Sequence, residues 1–287
     1  MSSPRSPQQV ADEHPDDEVL RNERIPHIWC PGCGLGTIIK GYADAVDDRD
    51  AGLDDNVVVS GIGCTGRAAG YVNTDSYHTT HGRAIPFATG IKVANPDLEV
   101  SVISGDGDLF NIGGNHFIHA ARRNLDMTVV CANNFNYGMT GGQFGATTPK
   151  EKYTSTTPYG NFEGSFNLPL LAASLGAPFV ARWTNLHPRR MSDAIQRAME
   201  TDGFGFVEVI SPCPEGFGKP NDFPDGLDQM EYFEEHGVVD HDADLRDVDI
   251  NFEGEDLVLG NFVDEPSTPY QEVKRDFLDK RLGGGSE

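Results

Sequence analysis

Short apolar runs alternate along the chain with longer segments whose apolar positions recur at helical spacing. The runs at 56–60, 99–104, 127–132, 179–183 and 205–210 predict buried strands. The segments at 35–46, 112–123, 167–175 and 189–201 carry the three-and-four spacing of helices, and a further strand, loop and helix fill the chain to residue 94. Strands and helices in alternation predict an α/β fold with a doubly wound, mostly parallel sheet. Residues 150–165 are polar, with glycine and tyrosine, and are expected to form a long loop at an active site. The boundaries that follow are an N-terminal flexible arm at 1–24, a main domain at 25–220 and an acidic C-terminal extension at 221–287.

Two of these strands end in chemistry. The run at 99–104 leads into Gly105-Asp106-Gly107-Asp108, and the run at 127–132 leads into Asn133-Asn134. Asp106 and Asn134, 28 positions apart, then stand at the carboxyl ends of neighbouring parallel strands, where open α/β sheets bind ligands. Asp106 offers a hard oxygen, Asn134 an amide oxygen, and a loop carbonyl a third. That set suits magnesium, whose octahedron is completed by substrate phosphates and water. The glycines flanking Asp106 allow a tight turn and close approach of the backbone to phosphate. The helix opening after Asp108 turns the positive end of its dipole toward the anion.

Composition narrows the possible partners. The net charge of −23 argues against nucleic acid and anionic membranes. Lysine is scarce, seven against 15 arginines, and an aspartate-rich, lysine-poor surface suggests a salt-rich cytoplasm and a halophilic source. No apolar run is long enough to span a membrane, and residues 1–17 lack a signal core, so a cytoplasmic location is expected.

Five cysteines in such a chain favour metal ligation or core packing over disulfides. Cys30-Pro31-Gly32-Cys33 is a turn that can aim two thiolates at one ion. Cys64 and Cys213 follow the strands at 56–60 and 205–210, so both leave the sheet on the side of Asp106. Four thiolates converging there suit either tetrahedral zinc or a [4Fe–4S] cluster, and spacing alone does not choose between them. Cys131 lies within an apolar strand and is expected in the core.

With these residues in place, the chain resembles the beta subunits of 2-oxoacid:ferredoxin oxidoreductases across about 24–213. The resemblance rests on His27-Ile28-Trp29-Cys30-Pro31-Gly32-Cys33-Gly34, Gly61-Ile62-Gly63-Cys64 and His78-Thr79-Thr80-His81-Gly82-Arg83. It extends through Gly105-Asp106-Gly107-Asp108, Gly113-Gly114-Asn115-His116-Phe117-Ile118-His119 and Asn133-Asn134-Phe135-Asn136-Tyr137-Gly138-Met139-Thr140. It implies a thiamine diphosphate-binding fold with magnesium held by Asp106, the Asn134 side chain and the Asn136 carbonyl. It further implies cofactor contacts from Ile62, Gly63, Cys64, His81, Gly82, Gly105, Asp106, Gly107 and Asp108. Further contacts are implied from Asn134, Asn136, Tyr137, Gly138, Met139 and Thr140. By the same resemblance Cys30, Cys33, Cys64 and Cys213 hold one [4Fe–4S] cluster. An alpha subunit completes the active site in an α2β2 assembly and supplies the activating glutamate.

The reaction so implied is oxidative decarboxylation of a 2-oxoacid, 2-oxoglutarate in preference to pyruvate, with coenzyme A taking the acyl group and ferredoxin the electrons. Arg67 is a candidate partner for the substrate carboxylate. His116 and His119, three apart on a helix, are expected to pack or hydrogen-bond rather than bind metal. The chain departs from the resemblance at Gln143-Phe144-Gly145-Ala146-Thr147-Thr148, where relatives commonly read Gln-x-Ser-Pro-Thr-Thr. That change is expected to lie beyond the phosphate contacts. Two other readings remain open: a non-redox thiamine diphosphate enzyme with structural zinc, and an Fe–S electron-transfer subunit without thiamine.

Overall fold

The computed structural model describes residues 18–49, 52–254 and 256–283. Its strands in chain order are β1 (Asn56–Ser60), β2 (Asp75–His78), β3 (Glu99–Gly105), β4 (Met127–Asn133), β5 (Phe179–Thr184), β6 (Phe204–Ile210), β7 (Gly237–Val239) and β8 (Leu257–Asp264). The helices are α1 (Leu35–Asp47), α2 (Ala84–Ala94), α3 (Gly114–Ala121), α4 (Leu168–Ser174), α5 (Pro188–Met199), α6 (Gly226–His236) and α7 (Tyr270–Leu282). One sheet runs in the order β2-β1-β3-β4-β6-β5-β8-β7. The first six strands in that order are parallel, β8 runs antiparallel to β5, and β7 is parallel to β8.

Both faces of the sheet are covered, which is why its strands read as continuous apolar runs. Val58, Ile103, Val130 and Val207 face a core closed by α1 and α5. Val57, Val102, Val129 and Phe206 face the opposite core, closed by α2, α3 and α4. Cys131 is fully buried in that second core, where it packs as a small hydrophobe.

Three segments differ from expectation. The helix expected at 112–123 shortens to α3, and a π-helical turn, Gly107–Ile112, precedes it. Gly113 marks the break, since a Cβ there would lie 2.7 Å from the Asp108 carbonyl oxygen. Residues 1–17 of the expected N-terminal arm lie outside the described residues. Its remainder is docked: Val19 is buried, its carbonyl accepts from Asn73 N–H at 2.7 Å, and Arg24 Nη1 donates to Gly70 O at 2.7 Å. The segment from 221 is built into the same sheet through β7 and β8, and Phe233, Leu257 and Leu259 enter the first core. No helix among the described residues is long and apolar enough to cross a membrane.

Candidate functional site

The carboxyl ends of β1, β3 and β4 open onto a cavity. It is lined from β1 by Ile62, Gly63, Cys64 and Thr65, and from β3 by Gly105, Asp106, Gly107 and Asp108. Asn134, Asn136, Tyr137, Gly138, Met139 and Thr140 line it from the segment after β4, with His81 from the loop after β2. Gly82 is the exception among the residues expected there. It stands behind His81, with its N–H donated to Asp108 Oδ1 at 2.7 Å.

Asp106 and Asp108 sit two residues apart and do different work. Asp108 is 2% exposed and its carboxylate is taken up by the protein: Ile62 N–H, Gly82 N–H and His81 Nδ1 meet Oδ1, and the Ser104 hydroxyl donates to Oδ2. It ties the loops after β1 and β2 to the β3 turn. Gly61 is required there, because a Cβ would fall 1.9 Å from Asp108 Oδ2. With Nδ1 held at 2.5 Å on Asp108, His81 has only Nε2 left for a ligand.

Asp106 keeps its capacity for a ligand. Its Oδ2 accepts from the Thr147 hydroxyl, and Oδ1 faces the Asn134 amide. The facing end of that amide lies 2.8 Å from the Asn136 carbonyl oxygen and 3.3 Å from Asp106 Oδ1. Turned nitrogen-first, the amide donates to both. Turned oxygen-first, it joins the Asp106 carboxylate and the Asn136 carbonyl as a third oxygen donor, a set that a hard cation can occupy. Asp106, Asn134 and Asn136 therefore fit a hard divalent ion in number, chemistry and mutual placement.

Burial pushes the Asp106 carboxyl up to about 7, against the opposing donation of Thr147 and the backbone N–H groups of Gly107 and Asn134. The folded, metal-free chain thus holds a proton that the unfolded chain loses near pH 4. The folded state binds more protons between those values, so its stability falls as pH rises from about 4 to about 7. Denaturant midpoints in EDTA should show this decline in the wild type. They should show less of it in Asp106→Asn, which has no carboxyl to ionise.

The turn joining Asn134 and Asn136 is unusual. Phe135, between them, has φ of +66°, a left-handed conformation costly for a bulky residue. Asn133 Oδ1 accepts from Phe135 N–H at 3.2 Å, and the Thr148 hydroxyl donates to Phe135 O at 2.6 Å. Asn136 Nδ2 donates to Asn134 O at 2.7 Å. These bonds hold the Asn134 side chain and Asn136 carbonyl on one side of the turn.

The four expected cysteines gather beside this cavity. Cys33 N–H donates to Cys30 O at 3.1 Å, closing the first turn, and Trp29 Nε1 donates to Cys64 O at 2.8 Å. Burial pushes Cys33 up to about 12, and Cys213, Cys64 and Cys30 each add to the shift. Burial also raises Cys64 to about 11, again with Cys213 and Cys30 contributing. Cys33 and Cys64 are thus each within electrostatic reach of Cys30 and Cys213. Among the described residues no three His, Cys, Asp or Glu are drawn together around a single-ion site. Cys213 lies at the joint between the two halves. A Cβ on Gly138 would stand 3.2 Å from its Sγ, and the nearby Asp106 charge raises its thiol further after the larger effect of burial. Cys131 stands apart from the four, so Cys131→Ala should leave iron content unchanged. It should cost on the order of 1 kcal/mol in stability, which elemental analysis and thermal unfolding of the same sample will check.

Sequence reasoning missed two residues. Thr65 lines the cavity, and Thr147 reaches Asp106 from the segment 143–148, which was expected to lie beyond the phosphate contacts. Arg67 is exposed and does not line the cavity, although Thr65, two residues earlier, does. His116 meets Arg83, and His119 Nδ1 accepts from Arg122 Nε at 2.9 Å, so both histidines hydrogen-bond at the surface.

A Gly-Asp-Gly turn and an asparagine turn at the ends of adjacent parallel strands place this fold among thiamine pyrophosphate enzymes. Residues 61–209 match the family model for the thiamine pyrophosphate enzyme C-terminal TPP-binding domain. The chain is 44% identical to the 2-oxoglutarate synthase subunit KorB of Methanothermobacter thermautotrophicus over 271 residues, 94% of each chain. To the KorB subunit of Archaeoglobus fulgidus it is 52% identical over 197 residues, 69% of this chain and 73% of that one. The fold is shared with a chain of the Magnetococcus marinus 2-oxoglutarate:ferredoxin oxidoreductase, solved with 2-oxoglutarate, coenzyme A and succinyl-CoA bound. That match has a TM-score of 0.83 and 34% identity, covering 95% of this chain and 92% of the other. The chain belongs to the KorB family of 2-oxoacid:ferredoxin oxidoreductase beta subunits.

Proposed function

We propose that this chain is the beta subunit of a 2-oxoglutarate:ferredoxin oxidoreductase and carries the diphosphate half of its thiamine site together with one [4Fe–4S] cluster. The reaction is oxidative decarboxylation of 2-oxoglutarate to succinyl-CoA, with electrons delivered to ferredoxin. One observation carries the reading: three oxygens suited to magnesium and four cysteines lie at the same end of one sheet. The names of the relatives, and the ligands of the Magnetococcus enzyme, support 2-oxoglutarate over pyruvate.

In this reading Asp106, the Asn134 amide oxygen and the Asn136 carbonyl hold magnesium against the diphosphate, while the N–H groups opening the Gly107–Ile112 turn face the anion. Thr147 orients Asp106, and Asp108 fixes the His81 ring so that its free nitrogen can meet a phosphate or carbonyl oxygen. Cys30, Cys33, Cys64 and Cys213 release protons on binding the cluster, which the raised thiols of Cys33 and Cys64 make strongly pH-dependent. Bound here, thiamine diphosphate supplies an electron sink and the cluster a one-electron acceptor. Arg67, beside the cavity-lining Thr65, offers its guanidinium to the substrate carboxylate. An alpha subunit provides the activating glutamate, giving an α2β2 enzyme of the cytoplasm. The charge of −23 with seven lysines supports a setting of high ionic strength.

The test is anaerobic co-purification with the alpha partner in high salt, with iron, sulfide and thiamine diphosphate quantified. Coenzyme A and 2-oxoglutarate should bleach the visible cluster absorption. Bleaching by pyruvate alone would change the substrate assignment. Zinc in place of iron, with the thiamine cofactor intact and no bleaching, would overturn the redox reading.

A further inference from the structure

The acidic C-terminal segment touches the asparagine turn at two independent points. The first runs through the sheet. Val248 O accepts from Arg182 Nη1 at 2.6 Å, and Arg182 Nε donates to Glu208 Oε2 at 2.7 Å. Glu208 Oε1 then accepts from Asn133 Nδ2 at 2.7 Å, and the other end of that amide receives Phe135 N–H. Arg182, Glu208, Asn133 and Val248 are each no more than 2% exposed. This unbroken buried path thus joins residue 248 to the backbone between the two asparagine ligands.

The second point is aromatic. The Phe252 ring meets Phe135 edge-on, with centroids 5.3 Å apart, and Phe217 at 5.4 Å. Phe135 and Phe217 also meet each other at 5.1 Å. Phe217 belongs to the turn opened by Cys213, whose carbonyl accepts from Phe217 N–H at 3.0 Å. Tyr232 of α6 stacks on the far side of Phe252 at 5.0 Å and 23°. One ring, four residues beyond Val248, therefore bears on both the metal-ligand turn and the turn of a cluster cysteine.

We propose that residues 248–252 form a clamp that sets the geometry of the 133–136 turn, with Phe252 and the Arg182–Glu208 pair as positioning residues for the magnesium–diphosphate site. The inference rests on the proposed function above. Its physical basis is the left-handed Phe135. A bulky residue holds that conformation only where its surroundings over-determine it, and here the Asn133 amide and the Phe217–Phe252 rings do so. Without the ring, Phe135 can relax toward ordinary backbone angles, which carries the Asn136 carbonyl away from Asp106.

The test uses the full chain with its partner and measures affinity for thiamine diphosphate in a magnesium titration, by tryptophan fluorescence and calorimetry. Phe252→Ala should weaken that affinity by about 10–100-fold, the scale seen when partners that orient metal ligands are removed, with iron content retained. Phe252→Leu, which keeps apolar bulk without the ring, should fall between, and Phe252→Tyr should restore binding. Phe204→Leu is the control for stability alone. Phe204 is fully buried at the start of β6, the end of the strand away from the cavity. Wild-type affinity in Phe252→Ala, or an equal loss in Phe204→Leu, would overturn the clamp. Failure of the wild type itself to bind magnesium and thiamine diphosphate would overturn the parent reading and the clamp with it.

Discussion

Replacing Asp106 by alanine should abolish magnesium-dependent binding of thiamine diphosphate and leave the iron content of the chain at its wild-type level. The loss should exceed about 100-fold, the upper range for removing residues that merely orient metal ligands, because this change removes what we propose is a ligand itself. The measurement is equilibrium dialysis of the cofactor at saturating magnesium, with iron and sulfide determined on the same preparation. Retained affinity would sink the metal assignment. Iron should survive because the four cysteines approach from the arm before α1 and from the ends of β1 and β6, none of them from β3. The change should also ease formation of the Cys213 thiolate, since the Asp106 charge raises that thiol.

Asp106→Asn sharpens the same test. The amide oxygen can still accept from Thr147, and it carries no charge to desolvate in a site that pushes the native carboxyl up to about 7. The variant should therefore fold at least as well as the wild type above neutral pH, yet bind magnesium poorly.

Much of this site was legible from residue order because parallel strands buried on both faces read as apolar runs, and their ends could be located. Asp106, Asn134, Cys64 and Cys213 each follow such a run directly, and the structure gathers them at one end of the sheet. What was not legible acts across distance. Thr147 meets Asp106 over 41 positions, and nothing local distinguishes its hydroxyl from that of Thr148. Asp108 lines the cavity as its place in the glycine-rich turn suggested, but its bonds to four protein donors from three segments were not legible. The strand Leu257–Asp264 was hidden by its setting, since surrounding aspartates and glutamates lower the local hydropathy and it buries few of its residues. Residues 18–24 lacked any periodic signal, and their docking depends on single contacts such as Val19 and Arg24.

Breaking the buried Arg182–Glu208 pair should be the most destabilising single change in the fold, at about 3–5 kcal/mol for Glu208→Ala. Both side chains are 1% exposed and lie directly opposite each other on β5 and β6. Removing Glu208 leaves the guanidinium with only the Val248 carbonyl for compensation, and strips Asn133 Nδ2 of its acceptor. For a chain of this size the transition should drop by on the order of 10 °C. Glu208→Gln should do less harm, because its oxygen can serve one donor though its nitrogen opposes the other. The double replacement Arg182→Met with Glu208→Met should recover much of the loss, since an apolar pair carries no desolvation cost. It should not recover the cofactor: Asn133 would still lack its partner, and the left-handed turn its support. Recovery of stability together with magnesium affinity would show that the pair serves packing alone. Recovery of stability without affinity would separate the two roles, and would place the function of this ion pair in the turn it holds rather than in the sheet it crosses.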